Sequence, residues 1–235
     1  MATIKDNLIS YWRLDEPIGE VIDIHGNNNG VNNGATRNVL GKINKAFDFN
    51  GSSDYVKINS AIVTNPSSLT ISSWFKKESG GATYECVLHH ASANTIGSSS
   101  YWMGVDNSDY LTATIGATTG VGWAAGKTTT KATYGEWYLL TATWDGSVVK
   151  VYINGEYNKE YNLNSYTSFT TSTRIGGSSD GGASYNYFFK GKIDEVGIWN
   201  RALSPTEITK LYNSGKGLNY PFTSTQHKNN HLIFR

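Results

Sequence analysis

Short stretches of alternating apolar and polar residues, separated by turns rich in glycine and asparagine, make up most of the chain. The clearest alternation covers residues 69–76, LTISSWFK, where every second residue is suited to one face of a sheet. Residues 8–14, 46–49 and 55–58 have the same β-branched and aromatic composition. The pattern predicts a protein built from many short β-strands.

The middle of the chain predicts further strands joined by tight turns. Asp145-Gly146 and Asn154-Gly155 are type I′ hairpin signals on either side of an alternating run, so residues around 136–156 form a three-stranded meander. Residues 84–88, 101–105, 111–115 and 174–177 also have strand composition, and the loops between them are polar.

One segment near the end changes from the period of a strand to the period of a helix. Residues 193–199 predict a buried strand, and Ser204, Pro205 and Glu207 then form the sequence of a capping box. We expect a short helix that starts after Ser204 and is closed by Gly215.

Composition agrees with an all-β protein and excludes several functions. The 235 residues include 25 Gly, only 4 Pro, 15 Tyr and 7 Trp, and a chain of this length can bury roughly 70% of its unfolded surface as one domain. The formal charge of +1, without a long basic cluster, argues against nucleic acid. The chain has one cysteine, Cys86, so it has no internal disulfide framework. No stretch reaches 18 apolar residues, which predicts no membrane insertion, and the first residues lack the pattern of a secretory signal.

Four motifs, in order along the chain, resemble those of laminin-G-like, concanavalin A-like jelly-roll domains. They are KINKAFDFNGSSDYVKI at 42–58, LTISSWFK at 69–76, EWYLLTATWDGSVVKVYINGE at 136–156 and GKIDEVGIWNRALSPTEITKLYNSG at 191–215. The resemblance implies a two-sheet antiparallel jelly-roll β-sandwich with one short helix near the carboxyl terminus. We expect this domain to span residues 1–219 and to be followed by a tail, residues 220–235.

A loop after the first strand is a candidate calcium site. Asp23, Gly26 and Asn29 lie in a segment rich in oxygen-bearing side chains, and Ca²⁺ takes six to eight oxygen ligands. One carboxylate is too few, and the family resemblance suggests Asp194 as the second. The alternative is an ordinary turn in which Asp23 and the asparagines accept hydrogen bonds from the backbone without a metal.

The sequence does not indicate an enzyme. Retaining glycosidases need two carboxylates about 5 Å apart, whereas the alternation of a strand predicts that Asp194 and Glu195 point to opposite faces. A nucleophile elbow and phosphate-binding glycine loops are also absent from the sequence.

Carbohydrate binding needs no such chemistry, because aromatic faces stack on sugar rings and polar side chains bind the hydroxyl groups. We interpret Trp74, Trp137, Trp144 and Trp199 as core residues because they lie in strands that match the family. The aromatic residues of the variable half are the ligand-binding candidates, with Trp123 the first of them: Trp123, Trp102, Tyr101, Tyr84, Tyr185 and Tyr187.

These observations predict a non-enzymatic module for glycan recognition or adhesion, with a structural calcium ion and a cell-surface or extracellular glycan as partner. The alternative is a virion structural or decoration protein, such as a phage tail or capsid accessory, that uses the sandwich for contacts with other virion proteins or with itself. Both hypotheses place the protein outside the cell or on a virion surface. The absence of a recognisable signal peptide favours the second.

Overall fold

A computed structural model of the protein describes residues 3–60, 62–63, 65–91, 99–116, 123–166, 172–178 and 187–222, without the side chains of residues 91, 99 and 123. Strands dominate it, as the sequence predicts. In the first half of the chain they are β1 (Leu8–Trp12), β2 (Gly30–Asn33), β3 (Thr36–Leu40), β4 (Lys45–Asn50), β5 (Tyr55–Ile58), β6 (Leu69–Lys77), β7 (Glu85–Ala91) and β8 (Ser99–Val105). In the second half they are β9 (Tyr110–Ile115), β10 (Lys127–Lys131), β11 (Trp137–Trp144), β12 (Val148–Ile153), β13 (Glu156–Asn162), β14 (Thr173–Ile175) and β15 (Lys190–Trp199).

The strands form two antiparallel sheets. The first sheet has the order β13-β12-β11-β6-β15-β4-β3, and β1 pairs with the second half of β15. The second sheet has the order β10-β9-β8-β7-β14-β5-β2. This arrangement confirms the predicted two-sheet sandwich, and the three-stranded meander is present as β11, β12 and β13.

The main core lies between the two sheets. On β6 it takes Leu69, Ile71 and Phe75, all fully buried, which confirms the alternation seen in the sequence. Opposite them, the second sheet contributes large apolar side chains such as Tyr101, Met103 and Leu111. Burial of these side chains is the main stabilising term of the fold.

A second apolar cluster covers the outer face of the first sheet. Trp74 and Trp199 point to this face and pack against α1 (Pro205–Tyr212) through Ile208 and Leu211. Residues at the end of the described chain complete the cover, since Tyr220 and Phe222 contact the ring of Tyr11 at centroid distances of 5.7 and 5.1 Å. The first part of the predicted tail therefore packs on the sandwich. The chain's own helix and carboxyl-terminal residues cover this face.

The local structure around α1 confirms the predicted capping box. The Ser204 hydroxyl accepts a hydrogen bond from the amide of Glu207, and the Glu207 carboxylate accepts one from the amide of Ser204. The predicted end of the helix was wrong, because Asn213 adopts the left-handed conformation at the cap and Gly215 lies in a following 3₁₀ turn. Among the described residues, no helix is long and apolar enough to cross a membrane.

Candidate functional site

The outer face of the second sheet carries polar and aromatic side chains instead of an apolar cluster. Strand alternation identifies this face, because Leu111, Ala113 and Ile115 point into the core and Thr112 and Thr114 therefore point outward. The same argument on β5, β8, β7 and β14 gives four further outward residues, namely Tyr55, Trp102, His89 and Arg174. We call this surface the outer face.

Three of these side chains form a row across adjacent strands. Trp102 is the cross-strand partner of His89, and His89 is the partner of Arg174. All three are at least nine-tenths buried, and the indole Nε1 of Trp102 makes no hydrogen bond within the described part of the chain. Trp102 was predicted to bind ligand directly. The structure corrects this, because a ring without exposed surface cannot stack on a sugar.

Tyr101 lies on the opposite side of β8 and also corrects the sequence prediction. Its ring is fully buried in the core and stacks on His90, with 5.4 Å between the ring centroids. Its hydroxyl lies 3.1 Å from the Thr173 hydroxyl, within hydrogen-bond distance. Burial raises the pKa of Tyr101 far above its ordinary value. Tyr101 is a core residue, because the strand period places it on the inward side next to the outward Trp102.

Tyr84 and Tyr187, two other predicted ligand-binding residues, lie side by side although they are far apart in sequence. Their rings meet edge to face, with the centroids 5.4 Å apart, and both side chains are partly exposed. The carbonyl of Tyr187 accepts a hydrogen bond from the amide of Cys86, which fixes Tyr187 next to the start of β7. We call Tyr84 and Tyr187 the tyrosine pair.

A second aromatic group, which the sequence did not single out, lies at the neighbouring edge of the outer face. Tyr55 stacks with Phe188 at a centroid distance of 6.4 Å, and the Arg174 guanidinium lies 4.1 Å from the centre of the Tyr55 ring. Arg174 also donates a hydrogen bond to the carbonyl of Ser178, and the Ser178 hydroxyl accepts one from the amide of Tyr187. These contacts connect the group to the tyrosine pair.

The remaining two aromatic candidates have no described side chain. Tyr185 lies outside the described residues. The backbone of Trp123 begins a 3₁₀ turn, Trp123–Gly126, beside β10, but its side chain is not described. Both stay predictions.

The predicted calcium loop is organised by the carboxylate of Asp23. Its Oδ1 accepts hydrogen bonds from the amides of Tyr11 (2.9 Å) and Gly26 (2.9 Å), and its Oδ2 accepts one from the amide of Asn28 (3.1 Å). The side chain of Asn29 accepts a hydrogen bond from the amide of Asp23. A Cβ at Gly26 would lie only 2.6 Å from Asp23 Oδ2, so this position needs glycine. This arrangement matches the metal-free turn that the sequence left open as an alternative.

Asp194 lies in a different hydrogen-bond group. Its Oδ2 accepts from the amides of Lys42 (2.8 Å) and Ile43 (2.9 Å), whereas its Oδ1 is buried without a hydrogen bond from the described residues. Neither carboxylate oxygen of Glu195 has a hydrogen bond of normal geometry in the same part of the chain. Buried oxygens without donors are a feature that a cation could use.

The sequence predicts that the side chains of Asp194 and Glu195 point to opposite faces of the sheet, and the structure differs. A β-bulge between Asp194 and Gly197 interrupts the alternation, and Glu195 has a positive φ of 51°. Burial, followed by the nearby Glu195 carboxylate, raises the pKa of Asp194 well above its ordinary value. Burial raises the pKa of Glu195 to about 8, against the opposing effect of the Tyr11 hydroxyl. The two carboxylates are therefore neighbours, but solvent reaches at most 2% of either residue.

Within the described ranges, no group of three or more His, Cys, Asp and Glu side chains is arranged to hold a metal ion. Asp23 and Asp194 accept hydrogen bonds from separate stretches of backbone. Calcium binding by the four predicted ligands stays a prediction. Of the four, Asp194 offers a buried oxygen that a cation could use, and Glu195, which was not among the predicted ligands, lies next to it.

Solved structures with the same fold include proteins from several sources. Domain 4 of AbnA, a GH43 extracellular arabinanase from Geobacillus stearothermophilus solved with arabinotriose, has a TM-score of 0.62 and 22% identity, and the match covers 86% of this chain and 97% of that domain. A Trypanosoma rangeli sialidase in complex with sialic acid gives a TM-score of 0.68, 16% identity and 93% coverage of this chain, but only 35% of the sialidase. The binding domain of botulinum neurotoxin serotype D/C gives a TM-score of 0.62 and 18% identity, and the match covers 90% of this chain and 53% of the toxin chain.

Sequence comparison gives the family. No curated protein matches the chain. The sequence model of the family described as "Concanavalin A-like lectin/glucanases superfamily" matches residues 50–209, which is more than half of the chain. This range begins at the end of β4 and reaches into α1, so it includes the tyrosine pair and most of both sheets. The chain belongs to the concanavalin A-like lectin/glucanase superfamily.

Proposed function

We propose that the protein is a non-enzymatic glycan-binding module that holds its ligand at the tyrosine pair. The observation that carries this proposal is the tyrosine pair, in which Tyr84 and Tyr187 are held edge to face and remain partly exposed. On the first sheet, α1 together with Tyr220 and Phe222 covers the cluster around Trp74 and Trp199.

The chemistry around the tyrosine pair suits a sugar. Aromatic rings present flat apolar faces to the C–H groups of a pyranose or furanose, and their hydroxyl groups exchange hydrogen bonds with the ligand. The backbone of Tyr187 is fixed by Cys86 and Ser178, so little conformational entropy is lost there on binding. Tyr55, which is partly exposed and stacks on the buried Phe188, adds a further aromatic ring along the same edge.

The structural neighbours support a carbohydrate ligand in general terms only. The AbnA domain was solved with arabinotriose and the sialidase with sialic acid. Identities of 22% and 16% show a shared fold and no more, so neither sugar is assigned to this chain as its ligand. The chain spans about a third of the sialidase and about half of the toxin domain, and the activities of those proteins are not transferred either.

The acidic groups of the described chain do not favour catalysis. Asp194 and Glu195 are the neighbouring carboxylates that resemble a hydrolytic pair most, but they are buried on the first sheet, away from the outer face. A substrate would have to displace packed backbone to reach them. We therefore assign binding, and no reaction, to this module.

We retain calcium as a proposal. If an ion binds, Asp194 Oδ1 and the Glu195 carboxylate would hold it, and its charge would compensate two carboxylates that burial disfavours. A location outside the cell also remains a prediction. No observation on the described residues favours the virion alternative.

Glycan-array screening of the purified chain, followed by calorimetry with the best oligosaccharide, tests the function. We expect Tyr84→Ala and Tyr187→Ala each to weaken binding by about tenfold, since removing an aromatic contact costs on the order of 1–2 kcal/mol. Tyr157→Ala is the matched control, because Tyr157 is an exposed tyrosine on β13 of the first sheet. Binding that is equally weakened by all three variants, or that is absent across the array, would refute the proposal.

A further inference from the structure

A groove at one edge of the sandwich collects positive charge that the linear sequence does not reveal. It lies where β10, the edge strand of the second sheet, meets β13, the edge strand of the first. Its volume is about 450 Å³, and it is lined by Tyr110, Ala124, Lys127, Thr128, Thr129 and Lys159. A volume in this range suits an organic ligand rather than a single inorganic anion.

A bulge in β13 aims one of the lysines into this groove. The register shifts after Lys159, which pairs with Val151, so Asn158 is an extra residue in the strand. Val151 points into the core, and its partner Lys159 therefore points to the open edge between the two sheets. Asn158 exchanges hydrogen bonds with Thr129, with distances of 3.2 Å, and ties β13 to β10.

The ring of Tyr110 contacts two lysines of β10, Lys127 in the groove and Lys131 at the end of the same strand. The ammonium groups of Lys127 and Lys131 lie 4.2 and 4.9 Å from the centre of the Tyr110 ring. Cation–π contacts of this kind orient the lysines in advance and reduce the entropy lost when they bind an anion.

The carboxylates near the groove neutralise only part of this charge. Asp106 pairs with Lys127 at 2.7 Å, and the Asp109 carboxylate contacts Lys77 and the Tyr134 hydroxyl. Lys131 and Lys159 form no ion pair with another described residue. Glu160, next to Lys159, is the cross-strand partner of Lys150 and lies on the other face of β13.

We propose that this groove binds an acidic saccharide, with Lys159 in its lining and Lys131, whose ammonium lies over the lining residue Tyr110, as the groups that recognise the carboxylate or sulfate. The hydroxyl of the exposed Thr129 would exchange hydrogen bonds with the sugar hydroxyl groups, and the exposed Ala124 would provide the apolar contact. The inference gives a ligand class to one edge of the molecule and so rests on the proposed function, but its residues are separate from the tyrosine pair.

Calorimetry with three acidic probes tests the inference: tetragalacturonate, 3′-sialyllactose and a heparin hexasaccharide. We expect at least one to bind, and the Lys131→Gln/Lys159→Gln double variant to bind it about tenfold more weakly, as expected for the loss of two exposed charge contacts. Binding should also weaken with added salt. The control is Lys210→Gln, which removes an exposed charge from α1 and should change the affinity less than twofold.

Pairs of ligands that share a skeleton and differ in charge separate this inference from the general function. The methyl ester of tetragalacturonate has the same skeleton without charge, and lactose is the neutral counterpart of sialyllactose. Equal binding of charged and neutral forms, unaffected by the lysine variants, would overturn the acidic site and leave the glycan-binding function intact. No binding of any acidic probe, or tighter binding of single-stranded DNA than of every saccharide, would overturn it as well.

Backbone NMR titration provides a readout that does not depend on variants. Chemical-shift changes should concentrate at residues 127–131 and 159 when the acidic probe is added. Changes confined to Tyr84 and Tyr187 would place the acidic sugar at the tyrosine pair and contradict the groove.

Discussion

The ammonium group of Lys77 and the carboxylate of Glu85 form an ion pair that joins the two sheets in the interior of the sandwich. Lys77 ends β6 on the first sheet, Glu85 begins β7 on the second, and the two side chains are 6% and 0% exposed. The second oxygen of Glu85 accepts a hydrogen bond from the amide of Lys190, and Asp109 lies 3.1 Å from Lys77. A lysine at an inward position of β6 is therefore accommodated by two carboxylates, Glu85 at the start of β7 and Asp109 before β9.

Removing one partner of this pair should destabilise the fold strongly. Glu85→Gln leaves the buried ammonium of Lys77 with only the partly exposed Asp109, and breaking a buried pair costs about 3–5 kcal/mol. Lys77→Met/Glu85→Gln removes both charges, and we expect it to recover more than half of that loss. Urea unfolding followed by tryptophan fluorescence measures the difference.

Lys210→Met, an exposed charge deletion on α1, provides the baseline and should change the free energy of unfolding by less than about 0.5 kcal/mol. If the double variant is as unstable as Glu85→Gln or more so, the ion pair is not the reason for the loss.

Much of the fold could be predicted from the sequence, because strand alternation and turn conformation depend on residues that are close together in the chain. The period of two on β6 located the core side correctly, and the Asn154-Gly155 signal was right, since both residues have positive φ. The Asp145-Gly146 prediction was wrong in detail. Only Gly146 has positive φ there, and the Asp145 side chain closes the turn by accepting hydrogen bonds from the amides of Ser147 and Val148.

The site was less predictable because it depends on contacts between distant segments. Nothing local shows that Tyr84 and Tyr187 meet, or that Lys127 and Lys159 share a groove. The β-bulges also cannot be recognised from the alternation of apolar and polar residues in the sequence. One at Asp194 brings Glu195 beside it, and one at Asn158 directs Lys159 into the gap between the sheets.

His89 should make the protein less stable in mild acid. Burial lowers the pKa of His89 to about 3, and the nearby His90 and Arg174 charges act in the same direction. The unfolded chain binds a proton near pH 6.5 while the folded chain does not, so the contribution of His89 to stability is complete above pH 6.5 and falls below it. The expected loss at pH 5 is about 2 kcal/mol. Urea unfolding between pH 7 and 5 measures this slope.

The slope of His89→Gln relative to the parent isolates this residue. Glu195 has a raised pKa and contributes the opposite slope, since its destabilising effect decreases as the pH falls from about 8. That contribution is the same in both proteins and cancels in the comparison. A His89→Gln variant with an unchanged slope between pH 6.5 and 5 would contradict the prediction.

Calcium should raise the thermal midpoint if the buried oxygens of Asp194 and Glu195 hold the ion. Extracellular calcium modules have dissociation constants of about 0.1–1 mM, so a concentration ten times higher stabilises by about 1.4 kcal/mol, or roughly 3–6 °C for a domain of this size. Calorimetric melts in calcium, in magnesium and in a chelator measure the shift. Asp194→Asn should abolish it, because the amide oxygen can still accept from Lys42 and Ile43 but cannot supply the charge.

The exposed Asp6 provides the control, and Asp6→Asn should retain the full calcium shift. A parent protein with equal midpoints in calcium and chelator, or a shift that persists in Asp194→Asn, would exclude Asp194 as a calcium ligand. The Asp23 carboxylate would then act only as the acceptor that closes its loop, through its hydrogen bonds from Tyr11, Gly26 and Asn28. Asp194 would in turn serve to join the segment at Lys42 and Ile43 to β15, and its uncompensated burial would be a cost that the sandwich core has to offset.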